Sequence, residues 1–405
     1  MVPRPKSNYS NAALGAAIVL IAALTLVPAP QQAAASALTP WYCLICGDRG
    51  LVDVLLNIAL FVPLGMALGC RGVRPSRATL IALLASAAIE LAQATLVPGR
   101  DASLSDVLTN TAGALAGAIL ASCLGTLWRP TVSRARQLAL GGAAAWLALL
   151  AVTGIALQPD RASKPTLLFV APPEPLLDTF RGTVHRVEPD SVPEVMQTLA
   201  VTAMVTTAGL TERLAPVVEL RDSSRYPVAR LGQLGQKPAF ERRLLATRWR
   251  LRTPTVFAYG GAIPADPARV ILAGGYGSAT LWTEADVGGH RYRNQLRLTP
   301  GSGWMLVLPL RYPFDVRQNW TAGIWLAVPL LLVGFWSGRA GFGAVATGAG
   351  AIMLMGLGLE GMAALFGLAR DGSVAWILGL LAVMAGWGTD RAAMFTRKHE
   401  NTNEV

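Results

Sequence analysis

Residues Glu90 to Gly117 read E-L-A-Q-A-T-L-V-P-G-R-D-A-S-L-S-D-V-L-T-N-T-A-G-A-L-A-G. The stretch is mostly apolar and long enough to belong to two membrane crossings, yet it carries Glu90, Gln93, Arg100, Asp106 and Asn110. An acid at the centre of a membrane helix costs roughly 2.5–3.5 kcal/mol on insertion scales, so each needs a partner or a purpose. The question is which of the two applies.

The rest of the chain supports a membrane setting. Of its 405 residues 53% are hydrophobic and 15% charged, less charge than a soluble chain carries. Apolar runs near the required length of about 20 residues occur at 11–28, 51–70, 78–97, 105–127, 137–157, 321–337, 342–368 and 374–389. This predicts eight spans. Arg4, Lys6, Arg71, Arg74, Arg77, Arg129, Arg134, Arg136, Arg339, Arg391, Arg397 and Lys398 then fall on one side, against Arg49, Arg100 and Arg370 in the opposite short loops. Basic residues mark cytoplasmic loops, so the expectation is a multi-pass protein of the bacterial cytoplasmic (inner) membrane with both termini cytoplasmic. The first span also has features of a cleavable signal peptide, but Ala33-Ala34-Ala35-Ser36-Ala37 lies far from its apolar core. The net charge of +11 is explained by cytoplasmic loops that meet anionic lipid heads, and no nucleic-acid partner is expected.

The expected domains are a five-span membrane domain at 1–157, an extracytoplasmic domain at 158–319, three further spans at 320–390 and a basic tail at 391–405. Cys43 and Cys46 form a C-x-x-C in the first external loop, where oxidation to a disulfide is open to them. A zinc site would need two more ligands, and none are spaced for it. No metal or other cofactor is expected.

Segment 158–319 alternates short apolar runs such as Pro216-Val-Val-Glu-Leu220 and Arg269-Val-Ile-Leu-Ala273 with turns such as Asp286-Val-Gly-Gly289. Short strands with regular turns predict an all-β sandwich, jelly-roll-like. The run V-V-E-L-R-D, V-A-R-L-G-Q, F-E-R-R-L, V-I-L-A-G resembles the concanavalin A-like/laminin-G sandwich. That resemblance implies a carbohydrate contact through Trp249, Tyr259, Tyr276, Trp282, Tyr292 or Trp304, although several of these must fill the core; a protein contact is the other reading. No pair of acids here is spaced as in a glycosidase.

In the first membrane half Asp53 and Asn57 share a helix face at i, i+4, as do Glu90 and Gln93 at i, i+3. Asp106, Asn110, Gly113 and Gly117 form one stripe, with the glycines allowing close helix approach. By topology all the polar groups lie near the external end, and the natural partner for Glu90, Asp106 or Asp53 is Arg100. The pattern Asp53-x-x-x-Asn57-x-x-x-Phe61-x-Pro63-x-Gly65, Glu90-x-x-Gln93 and Arg100-x-x-Ser103-x-x-Asp106-x-x-x-Asn110-x-x-Gly113-x-x-x-Gly117 resembles the VanZ-like family of bacterial membrane proteins. The resemblance implies an envelope protein, often fused to other domains and linked with low-level resistance to the glycopeptide teicoplanin. It supplies no reaction.

The last three spans repeat part of this pattern. Glu360 and Arg370 are spaced like Glu90 and Arg100, each arginine followed by Asp-x-Ser. Pro329 answers Pro63. Gln93, Asp106 and Asn110 align with Ala363, Trp376 and Leu380. This predicts two parallel three-helix repeats, the second degenerate.

Three functions fit these features. In the first, Asp53, Asn57, Glu90, Gln93, Arg100, Asp106 and Asn110 bind a membrane lipid headgroup, lipid-linked saccharide or cell-wall precursor, with Arg100 gripping phosphate or carboxylate. In the second, Glu90 or Asp106 is the acid/base of an enzyme acting on lipid-linked or wall saccharide; no nucleophile set, phosphate loop or metal cluster accompanies them. In the third, the acids relay protons in a transporter, but they sit toward one face and not at the midplane.

Overall fold

The computed structural model describes residues 7–28, 40–45, 47, 49–100, 102–160, 166–169, 177–191, 198–222, 227–258, 262–308 and 316–402. The chain divides into two compact units, residues 1–130 with 249–252, and residues 131–248 with 253–405.

The first unit consists of α1 (Ser7–Thr25), α2 (Gly50–Cys70), α3 (Pro75–Leu96) and α4 (Leu104–Trp128), with the segment Trp249–Arg252. Local signals set the helix starts. Pro75 occupies the first turn of α3, where its missing N–H costs nothing. Ser103 caps α4, its Oγ accepting the Asp106 N–H at 3.4 Å. Glycines set the packing of α2 against α4. A Cβ at Gly65 would lie 1.9 Å from the Ala114 carbonyl oxygen, one at Gly113 2.2 Å from that of Ile58, and one at Gly117 2.1 Å from that of Val62. Backbone meets backbone here, as small-residue stripes permit. Ala17 and Ile21 of α1 join Phe61, Leu64, Ala82 and Ala114 in the core.

The second unit begins with α5 (Val132–Ala156) and continues through the β domain to α6 (Val316–Arg339), α7 (Ala344–Met355), a π-helical turn (Gly356–Gly361), α8 (Met362–Phe366) and α9 (Ser373–Thr402). The cut between the two units falls at 130/131, so the fifth expected span packs with the second unit. The cause is Trp146 of α5, buried among Leu326, Leu330 and Met355, with its Nε1–H donating to the Leu326 carbonyl at 3.2 Å.

Among the described residues six helices are long and apolar enough to cross a membrane. Two further apolar stretches, Asn11–Thr25 and Ser373–Thr389, lie within α1 and α9. The chain is a multi-pass membrane protein.

The helices of the second unit repeat the packing of the first. Gly334 meets the Val383 carbonyl as Gly65 meets Ala114, and Gly386 meets Leu331 as Gly117 meets Val62. All four positions lie 269 further along (65 to 334, 114 to 383, 117 to 386, 62 to 331). The middle helix has 22 residues in the first copy and 23 in the second, Ala344–Phe366. The extra residue is absorbed in the π turn, so Ser86 corresponds to Met355 at 269, whereas Glu90 corresponds to Glu360 at 270. This register corrects three expected matches. Asp106 answers Ala375, not Trp376; Asn110 answers Gly379, not Leu380; Pro329 answers Leu60, not Pro63. Contacts agree with it. Asn110 bonds Ser86 in the first copy, and a Cβ at Gly379 would lie 2.5 Å from the Met355 side chain in the second.

Each triplet also has a leading helix, α1 or α5. The β domain occupies the α5–α6 connection, the place that residues 26–49 take between α1 and α2. It is a sandwich of two five-stranded sheets, ordered β1-β4-β5-β6-β7 and β10-β9-β8-β3-β2, with every pairing antiparallel. The strands are β1 (Thr166–Phe169), β2 (Thr183–Ser191), β3 (Leu199–Thr206), β4 (Ala215–Arg221), β5 (Pro227–Leu234), β6 (Lys237–Arg242), β7 (Thr255–Phe257), β8 (Arg269–Gly277), β9 (Thr280–Val287) and β10 (His290–Arg297). Alternate residues such as Val201, Ala203 and Val205 or Leu281, Thr283 and Ala285 are buried, the period of a half-buried strand. After β10 a buried 3₁₀ helix (Pro300–Leu306) leads to α6. The loop before α9 holds it in place, since Ala369 N–H donates to the Leu298 carbonyl at 2.9 Å and Gly301 N–H to Asp371 Oδ2 at 3.0 Å.

Candidate functional site

The polar residues of the first unit gather where α3 ends and α4 begins. Glu90, 6% exposed, accepts the Ser103 N–H at 2.7 Å. Asp106, one turn into α4, has the Asn57 and Ser103 side chains within hydrogen-bonding reach and Asp53 as an electrostatic neighbour. Glu90 and Asp106 also feel each other's charge. The bases beside Asp53 are Arg252 and Arg49. One turn from Glu90 along α3, Gln93 donates through Nε2 to the Thr25 carbonyl at 2.9 Å. In the other direction Asn110 donates through Nδ2 to Ser86 Oγ at 2.9 Å. The second amide atom of each, Gln93 Oε1 and Asn110 Oδ1, is buried with no hydrogen-bond partner among the described residues.

Arg100 does not take the expected role. Its guanidinium donates to the carbonyls of Leu24 at 3.2 Å and Val27 at 3.4 Å. It closes the open end of α1, whose last carbonyls have no helical partners. Among the described residues it forms no ion pair with Glu90, Asp53 or Asp106. In the second copy the corresponding pair does form, with Arg370 Nε 3.0 Å from Glu360 Oε2 on exposed side chains. The two copies share spacing but not contact.

Two participants escaped the sequence reading. Ser86 lies four residues before Glu90 on the same face of α3, so helical spacing alone would have pointed to it. Arg252 carries no local signal, since its place beside Asp53 depends on a segment about 200 residues away in sequence. Nearby, the loop before α2 braces the start of α4. Leu104 N–H donates to the Trp41 carbonyl at 2.8 Å, and Ser105 Oγ to that of Leu44 at 2.6 Å. Cys43 in this loop is disulfide-bonded, while Cys70 and Cys123 are free thiols; Cys46 lies outside the described residues.

The aromatic candidates of the β domain separate. Trp304 is fully buried, and Tyr276 lies under the Arg242 guanidinium, 4.4 Å from the ring centre. Burial pushes Arg242 down to about 10. Tyr259 lies outside the described residues, and Trp249 belongs to the first unit. Tyr292 is partly exposed on β10. Trp282 lies on the outer face of its sheet, its indole across Gly275, where a Cβ would approach to 2.7 Å. Arg293 stands over the ring at 5.3 Å. The next rows across the sheet run Arg293–Glu284–Ala273–Thr202–Glu188 and Arg291–Asp286–Ile271–Met204–Arg186.

No group of His, Cys, Asp and Glu suited to a metal occurs among the described residues. Neither a curated protein nor a solved structure matches the chain, so the concanavalin A-like resemblance gains no support. A family model does match, over the residues that build the cluster around Glu90 and Asp106. The segment from 14 to 127 matches the VanZ/LLP1 family, in agreement with the motif resemblance.

Proposed function

We propose that the VanZ-like unit binds the headgroup of a membrane lipid or lipid-linked saccharide at the outer membrane face of a bacterial cytoplasmic membrane, with both chain termini inside. The observation that carries this reading is the cluster of Glu90, Asp106, Gln93 and Asn110. Buried polar groups are almost always paired, and ionisable ones in membrane helices mark sites or internal ion pairs. Here the arginine expected to pair with them is committed to carbonyl oxygens, which favours a site over a structural ion pair. The outer face of the β domain supports an added saccharide contact. Trp282 offers an aromatic surface over small neighbours, and the three bases and three acids of its rows balance. Reduced sensitivity to teicoplanin is the physiological effect we attach to this activity.

The test is Glu90→Gln and Asp106→Asn, with protein amount measured in the membrane. Normal amounts with loss of lipid co-purifying in native mass spectrometry, and loss of any teicoplanin phenotype, are expected. If both variants vanish from the membrane, the cluster is a folding element and the proposal is wrong.

A further inference from the structure

The cluster offers acceptors and very few donors. Glu90 and Asp106 are carboxylates whose assigned partners are one backbone N–H and two short side chains. Gln93 and Asn110, 6% and 2% exposed, each spend their amide N–H on the protein and leave a buried oxygen with no partner among the described residues. These two residues bracket the carboxylates, one turn above Glu90 on α3 and one turn below Asp106 on α4. Exchanging the amide O and N of Asn110 would let the Ser86 hydroxyl donate instead, but Gln93 must donate to the Thr25 carbonyl, so its oxygen remains. Arg100 faces α1, and Arg252 and Arg49 stand beside Asp53. Arg100 therefore reaches Glu90 and Asp106 only as an electrostatic neighbour, and among the described residues no cation makes an ion pair with Glu90.

The second copy strengthens the contrast. At the positions of Ser86, Gln93, Asp106 and Asn110 it has Met355, Ala363, Ala375 and Gly379, and its Glu360 is paired with Arg370. The copy whose glutamate is directly ion-paired has lost the surrounding acceptors.

We infer that the group recognised between α3 and α4 is a primary ammonium, carried by a lipid headgroup or by an amine-bearing saccharide. This rests on the proposed headgroup-binding function and names its ligand chemistry. An ammonium has three donors and no acceptor, which matches two carboxylates and the unpaired Gln93 oxygen. Phosphate or carboxylate would bring only more acceptors. Charge alone does not distinguish an ammonium from its methylated forms, because a trimethylammonium keeps the charge and loses every donor.

The experiment uses the full chain in detergent, titrated in native mass spectrometry with phosphatidylethanolamine, its mono-, di- and trimethyl derivatives, and phosphatidylglycerol of the same chain length. Retention should fall stepwise with methylation, at least tenfold from the primary amine to the trimethyl lipid, and Glu90→Gln should remove the dependence. Soluble phosphoethanolamine and glucosamine tell the sources apart. Competition by phosphoethanolamine indicates a lipid headgroup, and competition by glucosamine alone an amine-bearing saccharide. Equal retention of all lipids, lost in Glu90→Gln, keeps headgroup binding and overturns the ammonium. Preference for phosphatidylglycerol overturns it too. If no lipid or amine is retained beyond what Glu90→Gln retains, both the ammonium and the binding function fall.

Discussion

At the scale of single residues, the glycines and the acids of α2–α4 behave differently. Gly113 is fixed by geometry, with the Ile58 carbonyl 2.2 Å from where a Cβ would sit. Gly113→Ala must push α2 and α4 apart, and overpacking of this kind costs about 1–3 kcal/mol. The expected result is a clearly lower melting temperature in detergent. Gly141→Ala on α5, where no atom lies within 4 Å of the added methyl, should leave it unchanged or raise it, since glycine within a helix is less favourable than alanine by roughly 0.5–1 kcal/mol. Similar melting shifts for the two variants would refute the packing argument. The glycine stripe was legible because its spacing is a property of one helix. The partner of Arg100 was not. Carbonyls at the end of α1 leave no trace in side-chain chemistry, so the acids in the same sequence stretch looked like the natural counter-charges.

At the scale of elements, apolar length identified the six long helices, and alternation identified a sandwich. Alternation did not show that Glu219 is completely buried. It lies on β4 between Arg221 at 2.7 Å and Arg230 at 2.8 Å, and Arg230 continues to Glu241 at 3.2 Å. Glu219, Arg230, Glu241 and Thr255 are direct cross-strand neighbours, a ladder that appears only once strand register is known. Removing one member of a buried ion pair costs about 3–5 kcal/mol, because the other charge stays behind. Arg230→Ala should therefore destabilise far more than the double change Glu219→Gln with Arg230→Met, measured as the denaturant midpoint of the β-sheet circular dichroism signal. Equal losses would show that Glu219 gains nothing from Arg230. The π turn was equally illegible. One extra residue in an apolar helix leaves its composition unchanged, and the alignment through Glu360 then carried the wrong register into α9.

At the scale of the whole molecule, the second unit places a soluble-type domain between helices, so its last strand must be joined firmly to α6. Asp371 makes much of that joint. Its carboxylate accepts the Gly301 N–H and lies within reach of the Thr299 hydroxyl, with Arg297 and Glu360 as its charged neighbours. It stands in the loop between α8 and α9, outside the helices. Burial pushes its carboxyl up to about 6, against the hydrogen bonds and Arg297, which pull it down. A carboxyl whose folded pKa lies above its unfolded value of about 3.9 holds extra protons in the folded state between the two values. Unfolding then releases protons, so stability falls as pH rises through that window and is level above it. Asp371→Asn keeps a carbonyl oxygen for the Gly301 N–H and removes the charge. The variant should match the wild type near pH 4, then melt at a higher temperature from pH 6 upward, with the wild-type decline between pH 4 and 6 flattened. Melting curves of the full chain in one detergent across this range decide the matter. Parallel curves for the two proteins would mean that Asp371 does not titrate in the joint. A variant that melts lower at every pH would mean that the carboxylate charge itself holds the 3₁₀ helix against the loop.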